Sequence, residues 1–138
     1  MKTTCLLIAL VGTVQCMREQ AVGVEGTLLC GDKPAANVRV ALWDEDDGPD
    51  PDDKLQEGRT DSSGKFKLSG STKELTNIDP VFKVYHDCDD SIKPGQRKVR
   101  FRIPSQYITS GTTPKKFFNI GTINLEIGFA KEDRELLS

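Results

Sequence analysis

The chain predicts an all-β fold, a sandwich of about seven short strands, and three observations carry that expectation. Apolar residues recur at every second position in several separate runs. Turn residues interrupt those runs at the spacing of an all-β domain. The run at 96–104, QRKVRFRIP, alternates most cleanly, with Val99, Phe101 and Ile103 on one side and Lys98, Arg100 and Arg102 on the other.

Residues 22–66 organise the rest. Val22, Val24 and Leu28 keep one parity around Gly26, the pattern of a half-buried strand with a bulge. Residues 31–34 break the run. Val38, Val40 and Leu42 then share one face while Arg39, Ala41 and Trp43 share the other, so a second strand follows within hairpin distance and is expected to pair antiparallel with the first. Residues 44–53, DEDDGPDPDD, hold seven acidic side chains that no core can absorb. Clustered carboxylates are what a hard cation requires, which makes Asp44, Asp46, Asp50, Asp52 and Asp53 a candidate calcium loop. An EF-hand frame from Asp44 fails, because Gly48 falls where a ligand is needed and Leu55 where the closing Glu belongs; a solvated loop stiffened by Pro49 and Pro51 is the preferred reading.

Thr60-Asp61-Ser62-Ser63-Gly64 is a tight turn in which Gly64 takes positive φ and delivers Phe66 and Leu68 to the core. Beyond Leu68, Ser71 or Thr72 can cap a short helical turn through Leu75. Asp79-Pro80 restarts an extended segment that is apolar on both parities, suiting a central strand. Lys93-Pro94-Gly95 turns the chain into the alternating run described above. Lys98, Arg100 and Arg102, assisted by Lys93 and Arg97, form a cationic ribbon for an anionic lipid, glycosaminoglycan or acidic partner; the competing reading is a charged face that keeps an exposed strand from pairing with strangers. Nucleic acid is disfavoured, since no stacking aromatics flank the ribbon. Phe118, Ile120, Ile123, Leu125 and Ile127 supply the last one or two strands, and the parity change at Gly121 marks a bulge. The charged tail from about residue 130 is expected to fray.

Residues 1–16 are set aside as a secretory signal: Lys2, then an apolar run through Val14, then small residues suited to cleavage, with the cut placed between residues 16 and 20. Residues 17–138 make one domain, and removing Lys2 moves the formal charge from −2 to −3. Cys30 and Cys88 remain after the signal. One bridge is the simplest outcome in an oxidising compartment, with buried free thiols and an intermolecular bridge as alternatives. No Asn-X-Ser/Thr acceptor occurs.

Read together, VGVEGTLLC (22–30), Lys33-Pro34-Ala35, LWDEDDGPDPDD (42–53), EGRTDSSGKFKLSGST (57–72), Ile78-Asp79-Pro80, YHDCDD (85–90), KPGQRKVRFRIPSQYITSG (93–111), Pro114 and the closing INLE resemble the nematode transthyretin-like family of secreted proteins. The resemblance implies a transthyretin-like, immunoglobulin-like β-sandwich and an extracellular binding, bridging or signalling role, including recognition of anionic lipid on dying cells. Family members typically carry one more cysteine where this chain has Gly95, and another near the C-terminus. Both are missing here, which supports pairing Cys30 with Cys88 and implies a looser tail.

The related hydroxyisourate hydrolases use several histidines, an arginine and a C-terminal Tyr-Arg-Gly-Ser, whereas this chain has His86 alone and ends in Glu135-Leu136-Leu137-Ser138. One imidazole cannot both orient and transfer the proton, so no enzyme, cofactor or metal centre is expected. A carrier of a small hydrophobic ligand is the alternative function. It rests on fold analogy alone and requires an open apolar groove where the most regular strand presents charge.

Overall fold

A computed structural model of the chain describes residues 17–45, 52–88, 96–127 and 132–135. Residues 1–16, read above as a signal, together with Lys93 and the loop carboxylates Asp46 and Asp50, lie outside the described residues.

Among the described residues, ten strands form two five-stranded sheets. One contains β1 (Arg18–Cys30), β2 (Lys33–Pro34), β5 (Lys65–Glu74), β8 (Thr109–Ser110) and β9 (Phe118–Asn124). The other runs in the order β10 (Glu132–Glu135), β7 (Gln96–Arg102), β6 (Pro80–His86), β3 (Arg39–Asp44), β4 (Asp53–Arg59). The fold is the all-β sandwich that the alternation predicts.

Long β1 is the spine of the first sheet. β5 pairs antiparallel with it from Arg18 to Thr27, β8 pairs at Gln20 and Ala21, and β9 runs parallel from Val24 to Leu29. Leu28 donates its N–H to the Gly64 carbonyl (2.8 Å) and accepts from the Ala35 N–H (2.9 Å), so the start of β5 and the end of β2 meet at one residue. Even-numbered β1 residues Val22, Val24 and Leu28 are fully buried against Phe66 and Leu68 of β5 and against Val40, Leu42, Phe82, Val84 and Val99 of the opposite sheet. The Phe66 and Phe82 rings stack across the core with centroids 4.5 Å apart.

The bulge expected near Gly26 and Gly121 is one feature. Glu25 pairs with Asn119 but Thr27 with Thr122, so β9 carries an extra residue, and Gly121 absorbs it at φ +77°. A Cβ on Gly26 would sit 2.7 Å from Ile120 Cγ1, which keeps that strand position bare. Gly64 adopts φ +80°, as its turn requires.

Five expectations are corrected. β1 and β3 do not form a hairpin: the edges of β1 are taken by β2, β5, β8 and β9, and the chain after β2 crosses to the second sheet, where β3 pairs with β4 and β6. Residues 72–74 form no helical turn; β5 stays extended to Glu74 because it has Arg18 opposite, and the short helical turn lies instead at Ser105–Tyr107. The strand count exceeds seven because β2 and β8 are two-residue pairings and because β4 and β10 lie in stretches read as loop and tail. β7 is no exposed strand, since β6 and β10 flank it. Asp44 is fully buried, not solvated: its carboxylate accepts the Asp79 N–H at 2.9 Å, tying the end of β3 to the start of β6.

Cys30 and Cys88 are bonded, with Cα atoms 5.7 Å apart, joining the end of β1 to the segment just after β6 and so one sheet to the other. Opening this loop, whose ends are 58 residues apart, is expected to cost about 4 kcal/mol in the chain-entropy account, so a Cys30→Ser/Cys88→Ser chain should unfold at clearly lower denaturant; an unchanged midpoint would overturn that. A Gly64→Ala substitution forces a Cβ against the Leu28 carbonyl in a left-handed conformation. It should lose more than about 1–2 kcal/mol in the same assay, the cost of that conformation alone.

Candidate functional site

The outer face of the second sheet gathers most of its charge. Register places Lys98 opposite Tyr85, Arg100 opposite Lys83 and Arg102 opposite Val81. One strand further, β3 sets Arg39 beside Tyr85, Ala41 beside Lys83 and Trp43 beside Val81, and β4 adds Lys54, Glu57 and Arg59. Period-2 alternation puts these residues on one outward side, because the same strands turn Val40, Leu42, Phe82, Val84 and Val99 inward, although Ala41, Val81, Lys83 and Tyr85 in its middle are themselves buried. The cationic row on β7 is therefore one part of a wider cation-and-aromatic layer.

Within that layer the arginines and lysines are held by rings and carboxylates. The Arg39 guanidinium lies 4.1 Å from the Tyr85 ring centroid and pairs with Glu57 at 3.2 Å. Lys83 Nζ lies 4.4 Å from the Trp43 ring and 2.6 Å from a Glu45 oxygen, and Arg100 binds the other oxygen of Glu45. Lys83 is nearly buried, so the Glu45 carboxylate supplies the counter-charge that its position demands. Burial alone raises the Glu45 carboxyl, but the hydrogen bond and charge of Lys83, with the charge of Arg100, outweigh it and hold the group below its usual range. Arg102 is exposed and Lys98 half-buried; neither has an anionic partner among the described side chains, and β10 sets Asp133 in register with Lys98.

Arg97 does not join the row. It has the parity of Val99, and its guanidinium donates to the carbonyls of Cys88 (3.0 Å), Leu125 (3.4 Å) and Ile127 (3.4 Å), clipping the end of the sandwich. His86 is buried at the end of β6, with Nδ1 accepting the Cys88 N–H at 3.1 Å. Its imidazole is thus part of the structure around the disulfide.

Of the acidic loop, Asp44 and Asp53 come together with Glu74 of β5, their carboxylate oxygens within 4.8 Å of one another. Asp52 is exposed nearby in sequence and is not part of that group. Oxygen ligands so grouped suit a hard cation. Glu74 was invisible to spacing, because it arrives from the other sheet. Lys83, Glu45, Trp43 and Tyr85 were also missed as members of the basic face, although a lone lysine inside the apolar β6 signals a buried cation needing a carboxylate.

Since the Glu45 pKa is depressed on folding, its contribution is present above about pH 4.5, the unperturbed value, and fades as pH falls through the lower folded value. Glu45→Gln should cost about 1.5–3 kcal/mol at neutral pH, the worth of hydrogen bonds to charged groups. The gap to the parent chain should narrow on acidification below that point, as read by urea titration; a gap that stays constant with pH would contradict the assignment.

Comparison with known proteins agrees with the fold. A model of the transthyretin-like family, TTR-52, matches residues 25–104. Transthyretin-like protein 46 of Caenorhabditis elegans is 63% identical over 137 residues, covering 99% of this chain and 76% of the relative. Transthyretin-like proteins 33 and 5 of the same nematode are 57% and 45% identical over 118 residues, each spanning 86% of this chain and, respectively, 82% and 85% of the relative. The chain belongs to the transthyretin-like family.

Proposed function

We propose that the protein is a secreted, non-catalytic extracellular binding or bridging factor that meets an anionic cell surface through the outer face of the β4–β3–β6–β7 sheet. The observation that carries this reading is the pair Lys98 and Arg102 beside a cation-rich layer: no ion pair to either is formed by the described side chains, although β10 sets Asp133 in register with Lys98. A surface of this kind concentrates anions by summed potential rather than by a fitted pocket, so its binding weakens with salt. Arg100 contributes less than its place in the row implies, because Glu45 already neutralises part of it. Arg97 acts in stability, not in contact with a partner.

The rigid support beneath the face favours the same reading. Trp43 and Tyr85 hold Lys83 and Arg39 flat against the sheet, and both aromatic groups sit on strands fixed by two neighbours. Lys83 and Arg39 are already paired with Glu45 and Glu57, so they stiffen the face beside Lys98 and Arg102 and are not themselves contacts for a headgroup.

Vesicle co-sedimentation tests it. Binding to vesicles containing phosphatidylserine should exceed binding to vesicles of phosphatidylcholine alone and should fall steeply as salt is raised. A Lys98→Glu/Arg102→Glu chain should bind at least about tenfold more weakly, given roughly 1 kcal/mol per basic residue near an anionic membrane. Binding indifferent to salt and to both reversals, or no binding to either vesicle, would remove the proposal.

A further inference from the structure

β9 has one bonded edge and one open edge. Odd-numbered residues of β1 turn their main-chain groups toward β9: the Leu29 carbonyl accepts the Leu125 N–H at 2.7 Å, whereas even-numbered Leu28 bonds Gly64 and Ala35 on the opposite side. Glu25 and Thr27 are odd, and the residues in register with them are Asn119 and Thr122. In a parallel ladder the residue beside a bonding one turns its own N–H and C=O the other way, so Asn119 and Thr122 aim theirs away from β1. No other described strand lies along that edge. It also lacks the usual protection, since open edges are blunted by charge, proline or brevity. β10 has four residues, all charged; β2 and β8 have two residues each. β4 and β5 carry charges and meet each other, with Gln56 Oε1 accepting the Ser69 N–H at 2.7 Å. β9, reading FNIGTIN, runs for seven residues with neither charge nor proline. Its one protective device is the bulge.

The bulge selects the partner. Its extra residue reverses parity, so that exposed Asn119 before it and exposed Thr122 after it share the outer side, while Phe118 and Ile123 pack against the core. A straight strand laid along β9 can match only one half of that pattern, because a one-residue offset sets core-side positions against outer ones. A second copy of β9 running antiparallel matches both halves. With the two-fold axis between Ile120 and Gly121, Phe118 stands opposite the partner's Ile123 and Asn119 opposite the partner's Thr122. Asn119 and Thr122 then exchange N–H···O=C bonds twice around the axis, which satisfies the main-chain groups that β1 leaves open. The ends agree as well. The same register brings exposed Lys115 to the partner's Glu126, also exposed, on both sides of the axis, and neither side chain forms an ion pair within its own chain among the described residues.

We propose that the protein self-associates through β9, two copies joining their first sheets edge to edge into one continuous antiparallel seam. The axis stands perpendicular to the shared sheet, so both second sheets lie on the same side and their cation-rich faces point the same way. The pairing is independent of the anionic-surface reading, because it concerns the other sheet and its test uses no lipid. One strand pair is a small interface, so the dimer is weak and forms as concentration rises.

Sedimentation velocity and amide hydrogen exchange of the disulfide-bonded chain over a dilution series test it. The sedimentation coefficient should climb from monomer to dimer between micromolar and millimolar protein, and exchange at the Asn119 and Thr122 amides should slow over the same range. Lys115→Glu sets like charges together at both ends of the seam and should weaken the dimer about fivefold, while Lys115→Glu/Glu126→Lys should restore it. Both positions are exposed, so the fold survives either change. A chain that stays monomeric throughout leaves the edge to a different strand and overturns the proposal. Association that slows exchange elsewhere but not at Asn119 and Thr122, or that ignores the charge reversal, overturns it too.

Discussion

The need to bond both edges of β1 governs this structure. Ala21, Val22, Val24 and Leu28 have no exposed surface, so the main-chain groups between them cannot be left to water and must find partners along the whole strand. β5 and β2 meet at Leu28, while β8 and β9 lie along the strand as well, drawing segments from nearly the full length of the chain onto one spine. The second sheet has no comparable centre. It is held against the first by Phe66 on Phe82, by the Cys30–Cys88 bond and by the Arg97 clip at one end.

Much of this was legible in the residue pattern, and what was not has identifiable causes. Parity alone found the buried faces of β1, β3, β5 and β7, because a strand covered on one side must alternate, and the glycine turn at Gly64 and the bulge at Gly121 announced themselves through the conformations only glycine holds cheaply. Partnership was not legible. Two alternating runs a turn apart look like a hairpin whether or not they pair, and nothing local says that β3 leaves for the other sheet. β4, reading DKLQEGR, lacks alternation because only Leu55 and Gly58 are sheltered, so an edge strand passed for loop. The basic row on β7 could be read, but its restraint by Glu45 could not, since that carboxylate belongs to a stretch that looks wholly solvated.

The two outward faces solve the problem of exposed sheet differently. On the second sheet, rings and carboxylates immobilise cations, giving a stiff surface with an excess of positive charge at one border. On the first, the outward side chains of β1, β5 and the turn before it set Lys65 and Lys67 against Glu25 and Asp61. Nothing in such a sandwich requires the faces to share a purpose. The core fixes only the inward half of each strand, and the outward half is free to be shaped by what the protein meets.

The Trp43 ring, the sole indole in the chain, lies under the Lys83 ammonium and within 6.0 Å of Lys54. Emission from that indole therefore reports on one surface and no other, and its wavelength and quenching are governed by the cations stacked upon it. The molecule thus carries its own optical gauge of how tightly that layer is closed, legible in solution without any attached dye.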